Sequence, residues 1–352
     1  MAVSAQAGTF SFGPQSAKGA TPATWYRHRA LDVPFGVNDQ SQVGQMEVGG
    51  VPVPTFPYKS GYTAGGQFVL QPRLENSIGW LLYALFGSCT STETPAYGGM
   101  YNHVFKLNSS DPTYVPWMGL RKHIPRKDNS VTSDLGEVYK DGKILSAQIQ
   151  LPNDQPITMA MDALACDFSL DESPHSWTYA ANFEDWQSVP VGCVTDGYIK
   201  VDGVELPVVS ANFGFQNQPL DLRMERTYGS PLLDDITIIQ RQMVFDLIVK
   251  WNNPDLYRSV LTGSTSGTGW TPAPKVGSFE VRTASSKNMP TETEPYLLTF
   301  NSPEAMLGLN GPIRLAGGQA VLMRFTGIAL ANAGDYAVAT LRNKQASYTW
   351  PT

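Results

Sequence analysis

Two blocks of equal length constrain this chain more than any other feature. They are Ser77-Ile-Gly-Trp-Leu-Leu-Tyr-Ala-Leu-Phe-Gly87 and Asn253-Pro-Asp-Leu-Tyr-Arg-Ser-Val-Leu-Thr-Gly263, and they align on their final glycines without a gap. Each reads as one short helix. Ser77 and Asn253 stand where a side-chain oxygen accepts an N–H bond of the first turn. Pro254 falls at the first helical position, where a missing N–H costs nothing. Gly87 and Gly263 fall where the chain leaves a helix in the left-handed conformation. In this alignment Leu81, Leu82, Leu85 and Phe86 face Tyr257, Arg258, Leu261 and Thr262. The residues expected to pack these helices are Leu81, Leu82, Leu85 and Phe86 in the first and Leu256, Tyr257, Val260 and Leu261 in the second. Burial of each large apolar side chain stabilises by roughly 1.5–3 kcal/mol.

The likeness extends beyond the helices. Upstream, Gln67-Phe-Val-Leu-Gln-Pro-Arg-Leu parallels Gln242-Met-Val-Phe-Asp-Leu-Ile-Val with a one-residue shift, and downstream Gly87-Ser-Cys-Thr-Ser parallels Gly263-Ser-Thr-Ser. A hairpin ending in an apolar strand follows in each half, over Ile144–Ala165 and Ile313–Ala331. The ordered set implies an internal duplication with a period of about half the chain, with its boundary in the Trp186–Gly192 stretch. The expected organisation is an N-terminal arm over 1–19, flexible by composition, then a first module over 20–189 and a second over 190–352.

Outside the two helices the chain reads as short strands. Val104–Leu107, Ile144–Leu151, Ile157–Met161, Val208–Phe215, Ile236–Val249, Tyr296–Phe300 and Val321–Leu330 are apolar or alternating runs bounded by turn residues. Asp141-Gly142, Asp202-Gly203 and Asn310-Gly311 are hairpin signals. The expected class is mainly β, a sandwich or partial barrel.

No chemistry stands out. The sequence has no GxGxxG after a strand, no Walker loop, no HExxH and no EF-hand loop. Gly263-Ser-Thr-Ser-Gly267 resembles a nucleophile elbow, but its centre is Thr265 and it follows a helix rather than a strand. His28, His103, His123 and His175 have no ligand spacing, and no cofactor is expected. Asp171-Glu172 and Asp234-Asp235 read as turn caps or solvated faces. The net charge of −6 argues against a face that grips phosphates. Arg121, Lys122, His123, Arg126 and Lys127 form a basic cluster, read as a solvated loop, while Trp25-Tyr-Arg-His-Arg29 reads as packed structure. Cys89, Cys166 and Cys193 lack a CxxC pair and read as free thiols made in a reducing cytoplasm. MAVSAQAGTFSFGPQ lacks the basic and apolar regions of a signal peptide, and the apolar run Ile78–Gly87 is far short of the ~20 residues of a membrane helix.

Three stretches resemble the tail tube proteins of long-tailed, non-contractile bacteriophages. They are Gly65-Gly-Gln-Phe-Val-Leu with Leu81-Leu-Tyr-Ala-Leu-Phe-Gly-Ser88, then Val201-Asp-Gly-Val-Glu-Leu-Pro-Val-Val-Ser-Ala-Asn-Phe-Gly-Phe-Gln-Asn217, and then Gln218–Asp235 with the strand and helix that follow. The resemblance implies two tandem tail-tube-type β-sandwich or partial-barrel modules, each with one flanking α-helix. It implies homo-oligomeric rings, three chains making a pseudo-hexamer or six a hexamer, stacked into a hollow tube in the virion. The partners implied are further copies of the chain, the tape measure protein and other tail proteins, with DNA passing through the lumen without specific binding. The resemblance also implies no membrane partner and assembly in the host cytoplasm.

Within that picture the loop Gln216–Asp235 is the expected ring-stacking surface. Leu220, Leu222, Met224, Tyr228, Leu232 and Leu233 sit in it among Arg and Asp residues, an odd composition for free solvent. Val43–Tyr62 is its expected counterpart in the first half. The aromatic content also admits a second class of function, a carbohydrate- or receptor-binding β-sandwich of a phage tail tip. A hydrolase with distant carboxylates is a third.

Overall fold

The computed structural model describes residues 8–45, 50–51, 53, 56–94, 99–125, 134–153, 155–181, 193–289, 294–313, 315, 320–331 and 335–351. The chain is mainly β. In the first half the elements are β1 (Thr9–Pro14), β2 (Tyr26–Arg27), β3 (Ala30–Asp32), β4 (Gly36–Val43), β5 (Pro57–Leu70), α1 (Asn76–Phe86), β6 (Gly87–Glu93), β7 (Tyr101–Leu107), β8 (Met118–Ile124), β9 (Leu135–Pro152) and β10 (Thr158–Asp171). The second half holds β11 (Cys193–Val201), β12 (Val204–Glu205), β13 (Val208–Pro219), β14 (Ile238–Lys250), α2 (Asp255–Thr262), β15 (Lys275–Asn288), β16 (Pro295–Leu309), β17 (Leu322–Ala329) and β18 (Val338–Asn343).

All pairings among these strands are antiparallel, and they join into one continuous sheet. In the first half the hydrogen-bonded order is β1-β8-β9-β10-β5-β4. In the second it is β11-β15-β16-β17-β14-β13. The two series correspond strand for strand, and in each the helix follows the fifth strand. Two junctions join the halves: β13 pairs with the C-terminal part of β9, and β18 pairs with β7. The domain boundary expected near residue 190 lies outside the described residues.

Strand alternation builds the core. In β14, Met243, Phe245, Leu247 and Val249 are buried while the residues between them are more open, the period-2 signature of a sheet with one covered face. One core runs through both halves, from Phe12, Phe68 and Ile149 to Phe213, Phe279 and Phe325.

The helices end as the glycines require. Gly87 and Gly263 are left-handed, with φ of 96° and 76°, and their N–H groups bond to Tyr83 O and Ser259 O. Their starts differ from expectation. Ser77 lies inside α1 and bonds to buried His28, Oγ to Nδ1 at 2.7 Å. Pro254 is the residue before α2 rather than its first, and Asn253 Oδ1 accepts the Asp255 N–H at 3.2 Å. Burial separates the two helices. Leu81, Leu82, Leu85 and Phe86 are buried in α1. In α2, Leu256, Tyr257 and Val260 pack half-buried on the core and Leu261 is half-buried.

Three further expectations are corrected. The arm over 1–19 contains β1, which pairs with β8 and buries Phe10 and Phe12. Its Thr-Phe-Ser-Phe alternation outweighs its small-residue composition. Asp141-Gly142 makes no hairpin: Asp141, at φ 55°, sits inside β9, its carboxylate accepting from Gln15 Nε2 and Gly19 N. Asp202-Gly203 does turn, between β11 and β12. The basic residues Arg121, Lys122 and His123 lie on β8, not in a solvated loop, while 126 and 127 lie outside the described residues.

Candidate functional site

Several of the titratable groups singled out in the sequence are engaged in structure. Arg121 is stacked between Trp25 and Trp177, 3.6 and 4.8 Å from the ring centroids. Lys122 pairs with Glu137 at 2.6 Å, and His123 with Asp134 at 2.8 Å. Asp171 accepts from Ser173 N and Trp177 Nε1, which hold its carboxyl below the usual range. Asp235 accepts the N–H of Ile236, and Asp234 accepts the Thr227 hydroxyl. Thr265 lies in a serine-rich turn, where Ser266 N donates to Ser264 Oγ. Burial pushes the Cys89 and Cys166 thiols up to about 12, away from the thiolate that nucleophilic chemistry needs. Among the described residues, no three His, Cys, Asp or Glu converge on a point that holds a metal.

What the surface offers instead is edges and apolar patches. Along β4 the pattern is mostly exposed, and among the described residues this strand pairs with β5 alone. An open row of backbone N–H and C=O groups invites another strand. The counterpart strand, β13, has no such edge: it lies between β14 and β9, with Ser210–Gln216 opposite Ser146–Pro152. A second open stretch lies beyond the start of β15. That strand begins at the Lys275–Leu307 pair, so among the described residues Gly308 and Leu309 of β16 pair with β17 alone. Asn310 N, on the β17 side, donates to Arg324 O at 2.9 Å.

The β13–β14 connection is a built structure folded across the first half. Arg226 donates to Tyr62 O at 2.7 Å and to Gln40 Oε1 at 3.2 Å. Glu225 accepts from Thr237 N, and its own carbonyl accepts from Asp234 N. Leu233 and Ile236 are buried against Leu164, Cys166 and Val115, with Leu222 packed at the margin. Of the expected stacking residues, Leu233 is therefore used inside the chain, and Leu220, Leu222 and Leu232 are half-buried. Met224 and Tyr228 are fully presented, Tyr228 at 105% exposure. The first-half connection presents Val43, Val51, Val53, Phe56 and Tyr58, all exposed.

Sequence reasoning missed two features of this surface. One is the open edge of β4, because its polar residues, Gly-Val-Asn-Asp-Gln-Ser-Gln-Val, carry no strand alternation. The other is a transverse apolar row on the second half, Val276–Met306–Ile328–Val244, whose members lie directly opposite one another on four strands. Sequence separation hides such a row, since its four members come from four strands and meet only through their pairing. No protein-family model matches the chain, and no curated protein matches it.

Proposed function

We propose that this chain is a structural virion subunit that self-assembles into stacked rings, forming the hollow tail tube through which a long-tailed bacteriophage delivers its DNA. In this reading the two strand series are tandem copies of one tail-tube-type module, and three chains supply the six modules of a ring. The observation that carries the reading is the junction between the halves. Strand β13 of the second series is annealed to β9 of the first, whereas the corresponding strand of the first series, β4, pairs among the described residues with β5 alone. The strand corresponding to β9, namely β16, pairs at Gly308 and Leu309 with β17 alone among the described residues. A molecule with one such junction made and both halves of another unmade is built to join head to tail with itself. A heterologous contact of that kind closes into a ring when its rotation closes.

The charge-poor composition, 16% Asp, Glu, Lys and Arg, supports a surface largely covered by neighbours. Tape measure and other tail proteins are the further partners this reading brings, and DNA passes without being gripped.

Negative-stain electron microscopy of the purified protein, alone and with the other tail proteins, tests the proposal. Rings or tubes are the expected result. Monodisperse monomers under all of these conditions would overturn it.

A further inference from the structure

A row of side chains on the first half has a counterpart on the second, and only one of the two is covered. In the first half Lys143 lies opposite Leu164 and Leu164 opposite Gly65, with the Lys143 ammonium 4.0 Å above the Trp117 ring. In the second half Met306 lies opposite Ile328, and Ile328 opposite Val244, with Val276 beyond Met306. Both rows cross corresponding strands, β9, β10 and β5 in the first half and β16, β17 and β14 in the second.

The first row lies under the β13–β14 connection. Leu233 and Ile236 bury Leu164, and Lys143 Nζ donates to Ile236 O at 2.8 Å. The second row is bare: Val276, Met306 and Val244 are 40%, 37% and 40% exposed. It borders a groove of about 560 Å³ in which Gly214 and Gly308 leave space above the sheet. Four apolar residues in cross-strand register are a poor face for water and a good one for an apolar cover.

We infer that Val276, Met306, Ile328 and Val244 form the docking site for the β4–β5 connection of a second copy of this chain. The β4–β5 connection is the counterpart of the β13–β14 connection, since β4 and β5 correspond to β13 and β14. Its described residues Val51, Val53 and Phe56 are exposed apolar side chains. The difference in chemistry fits as well. The covered row contains Lys143, which the connection satisfies with a carbonyl and the Asp235 carboxylate. The bare row has Met306 on the corresponding strand, and the described residues of the β4–β5 connection bring valines and a phenylalanine. The occupant is thus fixed by continuity: the contact already made between the halves is repeated between one chain and the next. It rests on the self-assembly reading above, and adds to the strand edges a side-chain contact that seats them.

The test is a full-length chain carrying Val53→Cys and Met306→Cys, assembled under reducing conditions, then oxidised and run on a non-reducing gel. The expected result is a covalent ladder of two or more chains, absent from either single variant. Met306→Asp, at an exposed position, is expected to retain the wild-type circular dichroism spectrum and to raise the concentration needed for assembly by about tenfold or more. Rings or tubes without a ladder, together with normal assembly of Met306→Asp, would overturn this contact and leave the tube reading standing. Absence of any assembled particle in the wild-type protein would overturn both.

Discussion

Arg241 of β14 donates from Nε to Oδ1 of Asn217 at 2.7 Å, and together the two side chains close the C-terminus of a helix in the other half of the molecule. Arg241 Nη1 reaches Phe86 O at 3.0 Å, and Asn217 Nδ2 reaches Leu85 O at 3.2 Å. The last carbonyls of a helix have no partners within it, and a cation there also meets the negative end of the helix dipole. Burial lowers the guanidinium to about 10, still charged at neutral pH. Arg241→Met is expected to destabilise the chain by roughly 1.5–3 kcal/mol, the scale of hydrogen bonds to a charged group. Urea denaturation checks this, and an unchanged midpoint would refute it.

Acid stability follows from two buried histidines. His28 and His103 are each lowered from 6.5 to about 4, chiefly by burial. His103 is held between Ser91 Oγ and Asn343 Oδ1 at 2.8 and 3.0 Å. A folded-state value below the unfolded one means that the unfolded chain takes up the proton first. Stability from these groups is complete above pH ~6.5 and is lost as pH falls from there to about 4, by roughly 3 kcal/mol per histidine. Denaturation midpoints measured across that window should fall, and the fall should shrink in His28→Asn.

The C-terminal segment holds α1 in place. Trp350 Nε1 donates to Gln15 O at 2.8 Å, its ring lies 5.0 Å from Tyr83, and Tyr348 lies 5.3 Å from Trp80. A methyl group on Gly79 would meet the Tyr348 ring at 2.1 Å. Trp350→Ala is expected to cost about 3–5 kcal/mol, and Gly79→Ala to destabilise as well although alanine is the better helix former. A thermal melt of each variant decides; a raised midpoint for Gly79→Ala would show that the tyrosine yields freely.

Thiol reactivity gives an independent check on packing. Cys89 and Cys166, pushed up to about 12, should react with a thiol reagent at pH 8 far more slowly in the native protein than in urea. Equal rates would place them at an open surface.

The stacking surface of the proposed tube narrows to Met224 and Tyr228, the exposed large apolar residues of the β13–β14 connection. Met224→Asp with Tyr228→Asp should leave the denaturation midpoint within about 0.5 kcal/mol of wild type while shortening tubes to single rings in electron micrographs. Full-length tubes from this variant would remove the loop from the ring-to-ring contact.

Much of the local architecture was readable from the residues alone. Apolar alternation marked β13, β14 and β17 because a sheet covered on one face repeats every two residues. Gly87 and Gly263 marked the helix ends because few other residues take a left-handed exit. These are effects of neighbours in sequence. Tertiary structure decided the rest. Ser77 left its capping role because His28, remote in sequence, offers a buried partner. Asp141-Gly142 stayed inside a strand because Gln15 and the Gly19 backbone occupy the Asp141 carboxylate. The pairing of β13 with β9, the closure of α1 by Arg241 and the row from Val276 to Val244 all join residues whose only relation is spatial. Hydrogen bonds and apolar contacts between distant segments form only once the chain has closed long loops, so no local pattern encodes which partner each will find.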